Sequence, residues 1–279
     1  MMRTGVNFRC SLLFVFGLKI VLFLYRFINR PLTMRPAIIL LCLAMLLSLG
    51  LQSVFASQDS LQKAKAKSFY DEGVKKYESK DFEGAVEQFT KAIGFYSKYA
   101  LAYRNRGISR IELKDYVKAI DDLSVAIDLD DKDSLAYYFR AKAYRRTMRY
   151  ELAIQDLDKA LALAPNDADC YADRGLCKYE LKQYREAIKD FDASIKLNPY
   201  ELAAYINRGM AKMALKEYLA AIEDYDHALK LKSNIPSVLC DRGMALIHSG
   251  NATDGCNDLR KAQELGFLRA EDMIKLHCK

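Results

Sequence analysis

From Ala66 to Arg269 the chain repeats every 34 residues, six times, without an insertion or deletion. Each unit opens on a bulky residue: Phe69, Tyr103, Tyr137, Tyr171, Tyr205 and Leu239. Four residues on, the slot is small: Gly73, Gly107, Ala141, Gly175, Gly209 and Gly243. Twelve further on it is small again, from Ala85 and Ala119 to Ala221 and Gly255, and a large residue follows, from Phe89 to Leu259. A fixed period of this length points to a linear stack of one supersecondary unit, because a single unit cannot bury its apolar side alone. Paired small residues flanked by large ones are what two close-crossing helices require. Pro165 and Pro199 mark turns between units.

The repeat carries a charge where none is expected. Arg106, Arg140, Arg174, Arg208 and Arg242 each precede the first small slot, in what reads as a packed helix. Arginine is rarely buried unpaired. Sixteen residues after each comes an aspartate: Asp122, Asp156, Asp190, Asp224 and Asp258. The first unit lacks both, holding Glu72 and Gln88. Shared presence and shared absence imply an arginine–carboxylate ladder between first and second helices. Solvated surface charge is the alternative. Pairing within a unit leaves no member orphaned, whereas pairing with the preceding unit stays open. Such pairs set register more than they add stability.

The pattern of bulky and small slots resembles the tetratricopeptide repeat over about three quarters of the chain, although no Trp fills the first slot and only two units keep the proline. The resemblance implies an all-α, right-handed superhelical solenoid of six antiparallel helix pairs plus a C-terminal capping helix. The domains follow as six repeats over 66–269 and a cap over 270–279, with a linker over 57–65.

Residues 1–56 hold six basic residues and no acidic one; without them 37 of the 43 basic residues face 36 acidic ones. The net charge of +7 therefore belongs to the leader. A near-neutral body lacks the electrostatic footprint of a nucleic-acid binder, so a helical-repeat nucleic-acid-binding protein is kept only as the alternative reading. From Met34 the leader reads as a basic start, an apolar run and Val54-Phe55-Ala56, which fits a signal peptide or transmembrane segment over 34–56. Residues 1–33 are either a mis-assigned extension before Met34 or a membrane anchor. Either way the repeats are expected to be exported, periplasmic or held at the far side of a membrane by this segment.

Only His227, His248 and His277 exist, and none has metal-ligand spacing to Cys, Asp or Glu. No phosphate loop, HExxH or GxSxG pattern appears. No enzyme, metal or cofactor is expected. Cys170 and Cys177, two turns apart on one helix, are too distant to bridge and read as small buried hydrophobes, while Cys240 is expected unpaired on the groove.

In the family, first helices line a concave face that commonly binds peptides or helices. The positions expected there form a basic strip of Arg104, Lys142, Arg145 and Arg146. An apolar strip of Leu176, Ile206, Met210, Met213, Met244 and Ile247 follows. The implied function is a non-enzymatic protein–protein interaction scaffold. Its partner is another protein, presenting an extended peptide or an amphipathic helix with an acidic end. The alternative is that these residues pack only against neighbouring helices. The carboxylate clamp of chaperone-tail receptors is absent, since only Asn105 of Tyr70, Val74, Asn105, Leu135 and Phe139 suits it. Gly266 reads as a helix stop, and a final helix with Ala270, Met273, Ile274 and Cys278 inward would fold back to bring Cys278 near Cys256. A Cys256–Cys278 disulfide is expected, and the ending also resembles those of exported bacterial repeat proteins.

Overall fold

The computed structural model describes residues 35–278. Its helices are α1 (Arg35–Glu78), α2 (Phe82–Phe95), α3 (Ala100–Glu112), α4 (Tyr116–Leu129), α5 (Ser134–Arg146), α6 (Tyr150–Leu163) and α7 (Ala168–Glu180). They continue with α8 (Tyr184–Leu197), α9 (Leu202–Ala214), α10 (Tyr218–Leu231), α11 (Pro236–His248), α12 (Ala252–Glu264) and α13 (Leu268–His277). The chain divides between Lys63 and Ala64 into two units, and the repeats make up the second. It is an all-α solenoid of six helix pairs, α1–α2 to α11–α12, with α13 at the end.

Two expectations about the N-terminal part change. Residues 57–65, read as a linker, are helical within α1. They contain neither Gly nor Pro, and Lys63 pairs with Asp59 at 2.7 Å one turn away, so nothing stops the helix there. The transmembrane reading is also corrected, because among the described residues no helix is long and apolar enough to cross a membrane. From Asp59 on, α1 carries Lys63, Lys65, Lys67, Asp71 and Glu72, charges that hydrocarbon rejects. The membrane-anchored placement rested on a transmembrane segment and goes with it. The extension or anchor expected over 1–33 lies outside the described residues.

Every unit turns from its first to its second helix in the same way. Lys80, Lys114, Met148, Lys182 and Lys216 adopt left-handed φ of 59–63°, and Gly250 closes the last unit's first helix at 99°. At Lys114 the turn is closed by Lys114 N–H donating to Ile111 and Asp115 N–H to Arg110, both at 2.9 Å. These two bonds satisfy carbonyls that a helix end otherwise leaves bare. In the first two units the next residue then caps the second helix, Asp81 accepting from Gly84 N–H and Asp115 from Lys118 N–H.

The small slots let helices cross at short range. A methyl group at Gly175 or Gly209 would lie 2.7 Å from the ring of Phe191 or Tyr225. In the last pair both slots are glycine, and a methyl on Gly255 would meet the Gly243 carbonyl at 2.6 Å. Phe89, Leu123, Leu157, Phe191, Tyr225 and Leu259 are fully buried beside these crossings.

The ladder residues occupy the seams of this stack. Each arginine chelates the buried aspartate of its own unit through Nε and Nη2: Arg106 on Asp122 at 2.9 and 2.7 Å, Arg140 on Asp156 at 2.7 and 2.8 Å. Arg174 grips Asp190 at 3.0 and 2.6 Å, and Arg242 grips Asp258 at 2.7 and 2.8 Å. Arg208 holds Asp224 through the same two nitrogens. The remaining nitrogen, Nη1, reaches the preceding unit: Thr90 and Ser124 hydroxyls at 3.0 Å, then Asp158, Asp192 and Asp226 carboxylates at 2.6 Å. One guanidinium therefore fixes the helix pair and its register on the previous pair together. The planar fork of arginine makes this double duty feasible where lysine would not.

A disulfide joins Cys256 of α12 to Cys278 just after α13. It holds α13 over the end of the stack, where Ala270 is buried and Met273 and Ile274 pack on Leu239, Leu259 and Ala262. The helix starts at Leu268, just past the stop at Gly266. Cys170, Cys177 and Cys240 are free and buried, which places Cys240 in the terminal core rather than on the groove.

Candidate peptide-binding groove

Successive first helices touch (α3 with α5, α5 with α7, α7 with α9, α9 with α11), whereas among the described residues no two second helices do. First helices therefore occupy the inside of the curve, and their outward-turned side chains form one continuous face.

The basic strip on that face is neutralised from within. Arg104 donates to Asp133 at 2.8 Å, and Asp133 also caps α5. Arg145 lies 3.3 Å from Asp173. Lys142 sits over the rings of Tyr138 and Phe139, 5.3 and 5.6 Å from their centroids, an arrangement that stabilises an ammonium. Arg146 leaves the groove altogether, its Nε donating to the Tyr116 hydroxyl of α4 at 3.1 Å. An acidic ligand would have to break these contacts, so the expected partner with an acidic end loses its anchor.

The apolar strip divides. Leu176 packs on Phe191 and Ala211, and Ile206 and Met213 pack on the cluster around Tyr225 and Val238. Met244 and Ile247 turn into the terminal cluster with Leu259 and Ala270, where they serve the core. Met210 and Met213 remain on the groove, lining a cavity of about 360 Å³ with Tyr179, Ala214, Tyr225, Asp241 and Arg269.

Sequence reasoning passed over all five of those other residues, Ala214 among them. Tyr225 read only as core, Tyr179 and Arg269 fell outside the aligned slots, and Asp241 stands beside a ladder arginine that drew the attention. A signal existed in the 34-residue column itself, which runs Asp71, Asn105, Phe139, Asp173, Asn207, Asp241. Polar side chains recurring on an inner face are costly to keep unless something uses them.

Asp173 and Asp241 show what that cost is. Burial pushes both carboxyls above the ordinary range, against the pull of Arg145 and Lys142 on Asp173 and of Arg269 on Asp241. A carboxyl whose folded pKa is raised binds its proton better in the native state, so stability falls as pH rises from the ordinary carboxylate range through the folded value. Asp241→Asn is accordingly expected to raise the urea midpoint at pH 7, with the gain vanishing below the ordinary carboxylate range. A midpoint unchanged or lowered at pH 7 would show that the carboxylate is well compensated in the free protein.

Among the described residues no group of three or more His, Cys, Asp or Glu side chains could hold a metal ion. Matches to known proteins agree with the geometry. Models described as tetratricopeptide repeat match residues 70–134, 141–212 and 202–235. No curated protein matches the sequence. Among solved structures, YrrB, a TPR protein with an unusual peptide-binding site, aligns at 21% identity over 68% of this chain and 99% of its own, with a TM-score of 0.61. The MamA protein aligns at 24% identity over 61% of this chain and 93% of its own, with a TM-score of 0.57. The Cut9–Hcn1 hetero-tetramer of APC/C aligns at 20% identity over 77% of this chain and 43% of the matched chain, with a TM-score of 0.62. At such identities these likenesses speak to the fold alone. Repeat models, in-register small slots and the paired-helix stack converge: the chain belongs to the tetratricopeptide repeat family.

Proposed function

We propose that the protein is a non-enzymatic scaffold that holds a segment of another protein, extended or helical, against the C-terminal half of its groove. The observation that carries this is the cavity floored by Met210 and Met213. It lies on a face whose basic strip is already engaged by its own chain. Methionine side chains adapt to varied apolar surfaces, which suits a recognition floor. That YrrB carries a peptide-binding site on the same fold supports the reading by analogy. Export of the repeats belongs to the same proposal, on the signal-like leader from Met34 to Ala56 and on a disulfide that an oxidising compartment permits.

Met210 belongs to none of the buried clusters, so charge can be introduced there without opening the core. Met210→Glu is expected to abolish retention of the natural partner on immobilised protein, with helical circular dichroism unchanged. Val117→Glu, on the exposed side of α4, is expected to retain it. Equal retention by Met210→Glu and the parent would refute the groove as the binding surface.

A further inference from the structure

Of the three aspartates in that column, Asp173 and Asp241 stand two units apart in opposite circumstances. Asp173 is surrounded by its own chain's partners: Arg145 at 3.3 Å, with Lys142 and the Tyr138 hydroxyl near enough to favour its charged form. Asp241 stands in the identical slot two units on. The residues two units after Tyr138, Lys142 and Arg145 are Ile206, Met210 and Met213. All three partners have been replaced by apolar side chains, while the carboxylate has been kept.

What remains near Asp241 is Arg269 at 3.8 Å, on a side chain 63% exposed, against 26% for the aspartate. Among the described residues no hydrogen bond reaches the Asp241 carboxylate. Arg269 approaches from α13, at the rim of the cavity, and a pair this long and exposed is weak. A carboxylate on an apolar floor, half withdrawn from water and without a close cation, interacts strongly with any cation that enters.

We propose that the cavity receives a lysine or arginine side chain from the bound protein segment, its aliphatic stem lying on Met210 and Met213 and its cationic head on Asp241. Long basic side chains combine an apolar stem with a polar tip, which matches a floor of methionine ending in a carboxylate. Arg269 then acts as a placeholder that the incoming cation displaces. The inference rests on the groove reading and gives the partner a chemistry: basic at this end, and not acidic.

Binding of hexylammonium and of hexanol to the full chain, followed through 13C-methyl methionine resonances, tests it. Hexylammonium is expected to shift the Met210 and Met213 methyls saturably and to bind about tenfold more tightly than hexanol, the scale of one partly buried ion pair. Asp241→Asn should erase that preference, and Arg269→Gln should tighten hexylammonium binding by removing the competitor. Equal affinities of the two probes, or a preference surviving Asp241→Asn, would overturn the cation site and leave an apolar groove standing. If neither probe moves either methyl, the groove reading falls with it.

Discussion

Arg140→Ala is expected to destabilise the repeat stack by about 3–5 kcal/mol, the cost of leaving a buried carboxylate without its cation. Asp156 is the sharpest place to look. Its side chain is 8% exposed, and Arg140 alone neutralises it. In the second, fourth and fifth units a second cation stands one turn after the arginine: Arg110 on Asp122 and Lys178 on Asp190, both at 2.6 Å, and Lys212 on Asp224 at 2.8 Å. In the third unit that position is Tyr144. Arg174→Ala should therefore cost less than Arg140→Ala, because Lys178 still holds Asp190. Urea titrations followed by circular dichroism give both midpoints. Equal and small shifts would mean that solvent, and not the guanidinium, satisfies these aspartates.

Loss of the Cys256–Cys278 bridge is expected to cost about 3 kcal/mol, the chain-entropy value for a loop of this size. The effect should be local. Ala270 is the one fully buried residue of α13, and without the bridge the helix is held by that contact, Met273 and Ile274, and by the weak Arg269–Asp241 and His277–His248 contacts. Cys278→Ser should accordingly release α13 to fast amide exchange while α3–α8 stay protected. Mass spectrometry of unreduced protein from its native cells adds a second readout, since both thiols free would contradict the bridge. The same spectra test export, for which cleavage after Ala56 predicts Ser57 as the first residue.

The fold was legible because a 34-residue period leaves one kind of architecture, and small residues at Gly73 and Ala85 fix where helices cross. The partners of Arg106 through Arg242 were legible too, since arginine and aspartate are missing together from the first unit. Their inter-unit contacts were not, because Thr90, Ser124 and Asp158 share a position and not a residue type. The turns were illegible for a related reason: Lys and Met occupy left-handed positions where glycine is the usual signal.

The groove was read half correctly in composition and wrongly in electrostatics. Arg104 and Arg145 are visible as charges, but Asp133, which caps the next first helix, and Asp173, from the next unit, cancel them. Arg146 shares the helix of Lys142 and yet faces α4, a rotation that a list of first-helix residues does not resolve. Met244 and Ile247 lie in the same repeat slots as Met210 and Met213, but the folded-back α13 covers their surroundings and draws them into the core.

Site-specific photocrosslinking measures the central claim directly. A photoreactive side chain placed at Met210, on the inner face, and at Val117 and Leu219, exposed on second helices, is compared in the same cells. The groove account predicts a discrete adduct with a second protein from position 210, with the crosslinked segment bearing a lysine or arginine, and none from 117 or 219. Adducts formed at 117 or 219 with position 210 silent would place the binding surface on the outer face and contradict it.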